Sequence, residues 1–458
     1  MTILPAGKAG REGERAMAVV ALASAMFLGG GGTPSPLTEL ALQLLFAAIF
    51  GLWLVVAGKV PGVALRPVLG LCGLLLVLPL VQLVPLPPVL WHALPGRSLE
   101  RAALDLVGAA ETWRPWSLAP ARTTNAALAL VPPAMMLLMT ATLDRRGRSA
   151  LVLVIAGGAF LTILVGAAQA AGGPANPLRF YAPEAAYLSG FQANHNSTAD
   201  VLLIGMVAFS AVVRDWREVT ARKRTGHLPA AILAVGVGLL SLGVFLTASR
   251  AGTALLPVAW IAVLALTRPL WPASLPRIAA VAGGCAVAAA VAVFVLRDNA
   301  VVGQVLARYD FSGEVRPRLW GDSLAVAQTY FPLGAGMGAF IPVYMAGERL
   351  EAVGLALPNR AHNDLLELVI EAGVPGLVVL AAIVAILGRL ARERLRDPDP
   401  VVRRQAIFAL AGFTIVALHS QVDYPLRSIS LACMAAALAG LLVPGVRGAR
   451  GADGPGKI

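Results

Sequence analysis

The sequence predicts an all-α, polytopic integral membrane protein of about twelve transmembrane helices with a helical loop outside the membrane. Hydrophobic residues fill 58% of its 458 positions and charged residues 14%, and the mean hydropathy is +0.76, far more apolar than a soluble domain. Apolar runs of roughly 17 to 25 residues, enough to cross about 30 Å of hydrocarbon at about 1.5 Å per residue, recur along the chain. Lys and Arg gather on alternate connections between these runs, as the positive-inside rule requires.

The runs fall at 16–32, 37–58, 67–94, 123–143, 149–171, 197–213, 228–248, 251–267, 278–297, 364–388, 405–420 and 429–444. This divides the chain into a cytoplasmic N-terminus (1–15), helices one to nine (16–297), a large periplasmic loop (298–363), helices ten to twelve (364–444) and a cytoplasmic tail (445–458). The first run follows Lys8, Arg11 and Arg15 like a signal peptide, but 29–32 lacks a small-x-small cleavage pattern and a second span follows at once. It is read as retained. With both termini inside, 24 of the 37 Lys and Arg lie on inner segments and 13 outside, with the densest inner groups at 144–148, 214–224 and 389–404. The net charge of +12 therefore follows from topology, and no nucleic-acid partner is expected. Cys72, Cys285 and Cys433 sit in separate apolar runs, without disulfide or metal-site spacing.

Three outward segments are long enough to hold structure. Segment 298–363 is the largest and the obvious place for a site. Within it Trp320, Leu324, Ala327 and Phe331 keep an i, i+4, i+7, i+11 rhythm between Pro317 and Pro332, predicting a helix with one apolar face against the membrane core. Gly334, Gly336 and Gly338 follow and would permit tight turns and close approach of a ligand. They are no dinucleotide fingerprint, because no strand or βαβ unit surrounds them. Segment 95–122, with Leu99 to Val107 and then Trp113 and Trp116, reads as an interfacial helix with an aromatic anchor. Segment 172–196 ends in Asn194-His195-Asn196, whose role is open.

Several polar residues stand at the outer ends of spans. Arg250, in Ser249-Arg250-Ala251-Gly252 between two apolar runs, would cost about 2.5–3.5 kcal/mol facing lipid. It either snorkels in a tight outward turn or binds an anion, and the second reading is favoured. Arg316 and Arg318 flank Pro317; they fit a solvated face or the guanidinium forks that phosphate oxygens prefer. His362 precedes the tenth span, with Asn363 or Asp364 as N-cap and Glu367 three residues after Asp364, a capping-box spacing. Glu371 lies one turn beyond on the same face, or at the interface if the span proper begins near Val374. The imidazole, poised by a carboxylate, could take a proton from an alcohol. His419 and Asp423 predict a structural contact closing the bundle, and His92 and His227 look incidental. No HExxH, GxSxG, Walker or zinc pattern is present.

In order, Ser249-Arg250-Ala251-Gly252, Arg316 with Trp320, Phe331-Pro332-Leu333-Gly334 with Gly336, Gly338 and Phe340, His362-Asn363 with Leu366, Glu367, Glu371, Gly373 and Gly376, and His419-Ser420 with Asp423-Tyr424-Pro425-Leu426 resemble the O-antigen ligase and polymerase superfamily over about 190–430. The resemblance implies a GT-C-type inverting, metal-independent glycosyltransferase of the bacterial inner membrane, without a cofactor. It would move a glycan from undecaprenyl diphosphate to a sugar hydroxyl, on lipid A–core or a polysaccharide, at the periplasmic face. Carried over by motif, Arg250 and Arg316 would hold the pyrophosphate and His362 would activate the acceptor, with Arg318, Asn363, Asp364, Glu367, Glu371 and Asp423 in support. A repeat-unit polymerase is the alternative. A transporter or flippase fits less well, because its charges would lie on facing spans near the midplane rather than at one membrane face.

Overall fold

A computed structural model describes residues 8–31, 36–57, 62–172, 176–181, 187–220, 228–268, 300–309, 315–354 and 357–445. The expected ninth span (278–297), with Cys285, and His227 lie outside the described residues. The described chain is mostly helical. Eight of its helices are long and apolar enough to cross a membrane, and two shorter ones, Arg66–Gln82 and Ile429–Leu442, are also apolar.

In chain order the helices that build the bundle are α1 (Lys8–Leu28), α2 (Pro36–Ala57), α3 (Gly62–Gln82), α6 (Pro120–Ala129) and α7 (Val131–Thr142), α8 (Arg145–Ala171), α9 (His195–Thr220), α10 (Leu228–Leu246) and α11 (Arg250–Thr267). The shorter α4 (Pro88–His92) and α5 (Ser98–Asp105) lie between α3 and α6. After α11 come α12 (Ala300–Ala307), α13 (Arg316–Tyr330), α14 (Phe340–Gly347), α15 (Asp364–Leu395), α16 (Pro400–His419) and α17 (Ile429–Leu442). Helix α9 is central, packed against α8, α10, α11 and α16. Its first turns are nonetheless polar, and Asn196, Ser197, Thr198 and Asp200 are buried. Buried polar groups need partners, so these residues organise the site at that end.

The two ends of the bundle differ in chemistry. At one end the arginine-rich connections are locked in place. Arg404 reaches Asp215 at 2.6 Å and Glu218 at 2.7 Å, and Arg145 pairs with Asp399 at 3.1 Å. Buried Arg148 donates to the Ala141 (2.8 Å), Leu143 (3.1 Å) and Val443 (2.8 Å) carbonyls, satisfying C-terminal carbonyls of α7 and α17 that a helix leaves open. The candidate site occupies the opposite end.

Two expectations need correction. The third run, 67–94, is helical only to Gln82. Pro85, Pro87 and Pro88 remove donors there, and the chain instead forms a two-residue ladder, Pro85–Leu86 against Arg114–Pro115, then α4, whose Trp91 is buried with Leu104 and Ala110. Helix α13 exists, and of its expected face Ala327 is buried and Trp320 half-buried, but Leu324 is 54% and Phe331 50% exposed. The rest of the buried face is Leu319, Asp322, Ser323, Val326 and Tyr330, centred about one residue earlier. The helix packs this face on α14 and α15, and Leu324 and Phe331 are left outside.

Candidate active site

His362 lies in the short segment between the outer loop and α15, and its backbone is fixed from both sides. The preceding peptide is held by Ala361 N–H donating to Glu367 Oε2 at 3.0 Å and by Trp320 Nε1 donating to the Ala361 carbonyl at 3.0 Å. On the other side Asn363 caps α15, its Oδ1 accepting from Leu366 N–H at 2.9 Å and its Nδ2 donating to the Gln421 carbonyl at 3.0 Å. Between these anchors His362 adopts φ 50°, a left-handed conformation that costs a β-carbon-bearing residue about 1–2 kcal/mol. Such strain persists only where neighbouring structure over-determines it.

The imidazole meets a carboxylate. His362 Nδ1 lies 3.2 Å from Asp423 Oδ1, and its ring packs edge-on to Tyr424 at 4.9 Å. Asp423 is held in turn by Asn196 Nδ2 and by Tyr424 N–H, the latter at 2.9 Å. Burial pushes the Asp423 carboxyl up, but the His362 hydrogen bond and the charges of His362, His419 and Arg316 together hold it below the usual carboxylate range. With Nδ1 engaged, Nε2 is the ring nitrogen left to meet a substrate, on a side chain 28% exposed.

His419 does not close the bundle on Asp423 as expected. Helix α16 ends at His419, so Asp423 leaves along a turn toward His362. His419 Nδ1 instead meets Asp200 Oδ1 at 2.7 Å. Asn196 and Asp200, one helical turn apart on α9, thus serve the two imidazole–carboxylate pairs: Asn196 donates to Asp423, and Asp200 is itself the carboxylate on His419. Their signal was present in the sequence as polar residues at i and i+4 in the polar first turns of an otherwise apolar helix.

The arginines approach from two other elements. Arg316, half-buried in the first turn of α13, is near enough for its charge to act on Asp423, His419 and His195. Arg318, on the same turn, is exposed. Arg250 opens α11 after Ser249, whose hydroxyl accepts from Gly252 N–H at 3.0 Å. The connection from α10 is three residues long with Ala248 at φ 56°, and its Thr247 carbonyl meets His195 Nδ1 at 2.8 Å. Arg250 and Arg316 therefore stand at the same end of the bundle as His362.

Beneath the histidine lies a buried ionic cluster. No capping box forms: Glu367 spends its carboxylate on Ala361 N–H, on Arg360 at 2.9 Å and on Arg427 at 3.1 Å. Arg427 also reaches Glu371 at 3.0 Å and Asp364 at 3.8 Å, and Asp364 accepts from the Ser420 hydroxyl at 2.8 Å. Burial would lower the Arg427 pKa, but the three carboxylates raise it, so it is a fixed cation. Neither Arg427 nor Arg360 stood out in the sequence, because each is a lone arginine in an outward loop.

The glycines after α13 allow close packing within the protein. Gly334 (φ 82°) has room for no β-carbon, which would lie 2.5 Å from Ala372 N. Gly373 (φ 53°, ψ −141°) breaks α15, and a β-carbon there would lie 2.1 Å from the Pro332 carbonyl oxygen. The break separates a short polar first segment, carrying Asp364, Glu367 and Glu371, from the long apolar one.

Residues 235–381 match the family model for O-antigen ligase. This region is O-antigen ligase-related. No curated protein matches it. The matched region holds Arg250, Arg316, His362 and the α15 carboxylates, while Asn196, Asp423 and Arg427 lie outside it. With the apolar helices it supports a multi-pass membrane enzyme of the broad kind that includes O-antigen ligases and polymerases.

Proposed function

We propose that this O-antigen ligase-related chain transfers a glycan from undecaprenyl diphosphate to a sugar hydroxyl, on lipid A–core or a similar acceptor, at the periplasmic face of the inner membrane. The observation that carries the reading is the His362–Asp423 pair at 3.2 Å, with the Arg316 charge acting on it at the end of the bundle opposite the arginine-rich connections. Asp423 fixes the Nδ1 side of the imidazole, and Nε2 takes the proton of the acceptor hydroxyl. The oxygen attacks the anomeric carbon in one displacement, inverting it, as the bond to the diphosphate breaks. Arg250 and Arg316 hold the diphosphate and offset the charge it gains, preorganised cations doing the work without a metal. Arg318 supports this end of the donor, and the apolar bundle accommodates the polyprenyl tail.

Twelve spans, both termini in the cytoplasm and a GT-C arrangement complete the reading. In a complementation assay, Arg250→Ala, Arg316→Ala and His362→Ala each abolish glycan transfer while the protein still inserts and accumulates. Near-normal transfer by all three refutes the site. A repeat-unit polymerase would use the same residues, and the glycan profile of a deletion strain separates the two: loss of all O-chain marks a ligase, a single capped repeat a polymerase.

A further inference from the structure

We infer that Arg427 is a positioning residue for His362, acting through Glu367 and the Ala361 peptide; the inference rests on the reading of His362 as the acceptor's base. Three carboxylates from one face of α15 converge on this guanidinium, Glu367 at 3.1 Å, Glu371 at 3.0 Å and Asp364 at 3.8 Å. Each carboxylate is also tied to a different piece of chain. Glu367 receives Ala361 N–H, Glu371 receives Phe340 N–H at 3.3 Å from the glycine loop, and Asp364 receives the Ser420 hydroxyl. Glu367 and Glu371 are fully buried, so neither carboxylate can turn to water if its cation is lost. Arg427 is therefore the knot between the segment bearing His362, the glycine loop and the 420–428 turn that carries Asp423.

The left-handed backbone at His362 shows what the knot holds. Release of Glu367 frees the Ala361 peptide, and the residue relaxes to an ordinary φ that carries the imidazole away from Asp423. Trp320 still holds the Ala361 carbonyl, so α13 with its Arg316 stays in place and the hold on the donor persists.

The test is steady-state transfer by purified protein in proteoliposomes, using a polyprenyl-diphosphate-linked glycan, with wild type, Arg427→Lys, Glu367→Gln, the double variant and His362→Ala side by side. Lysine keeps the charge but loses the fork, and glutamine loses the charge by which Arg427 fixes the acceptor of Ala361 N–H. Both single variants lower kcat by about tenfold or more while donor KM stays within about twofold, the signature of a misplaced catalytic group. The double variant is no worse than the worse single one, because the residues act as a unit. Wild-type kcat in both singles, a rise in KM alone, or losses that multiply and track loss of folded protein overturn the inference. If Arg427→Lys fails to fold, Glu367→Gln decides alone. Undiminished transfer by His362→Ala instead refutes the functional reading itself.

Discussion

At His362 the ring and the backbone are constrained by different residues, and each constraint has its own consequence. Asp423→Asn keeps the shape but loses the carboxylate, leaving imidazole orientation to an amide that can present the wrong group; kcat falls by about 10²-fold or more, with donor KM nearly unchanged. Because the Asp423 carboxyl is held below its ordinary value, its contribution to stability is present above the unfolded value near 3.9 and is lost only as pH falls through the lower folded value. Thermal unfolding in detergent is therefore insensitive to this group between about pH 5 and 8, and Asp423→Asn flattens the drop seen in strong acid. At this scale the sequence exposed His362, Arg250 and Arg316, because charge at a membrane mouth is conspicuous. It hid the partners: Asn196 and Asp200 stand among other polar residues, Asn194 to Thr198, from which nothing sets them apart, and Arg427 is far in sequence from α15.

Helices were legible from length and hydropathy, their exact faces less so. In α13 the sequence puts Leu324 and Phe331 on the inner face beside Trp320 and Ala327, but burial follows what α14 and α15 can accommodate and leaves those two outside. Val326→Asn is expected to destabilise by about 2–4 kcal/mol and Leu324→Asn by no more than about 0.5 kcal/mol, read from thermal unfolding of the purified protein; the reverse order would restore the expected face. The break at Gly373 could not be read from composition, because its cause is the Pro332 carbonyl forty-one positions earlier. Gly373→Ala meets both the left-handed penalty of about 1 kcal/mol and the contact with that carbonyl, so it lowers the melting temperature and the yield of folded protein. Capping was half legible: Asn363 is the N-cap, but Glu367 turns to Arg427 and Arg360, since burial gives an ion-paired carboxylate more to satisfy than a helix terminus does.

Across the whole molecule, alternation of basic connections separates one end rich in arginine from another bearing the imidazole–carboxylate pairs. Single cysteines at Leu350, 86% exposed, and at Arg389, whose side chain is 82% exposed, report the two ends. Leu350→Cys labels from the periplasm and Arg389→Cys only after the inner membrane is opened; the opposite pattern inverts the proposed topology. The ordered motifs made the likeness to O-antigen ligases legible, since they combine weak signals along a chain of spans. The central claim is that His362, held by Asp423 beside two arginines, activates an acceptor hydroxyl toward a lipid-diphosphate glycan. Its most direct test is single-turnover transfer in proteoliposomes with donor saturating, comparing wild type with His362→Ala. Wild type forms product, and the variant binds donor but forms none; equal product in the two removes His362 from the reaction.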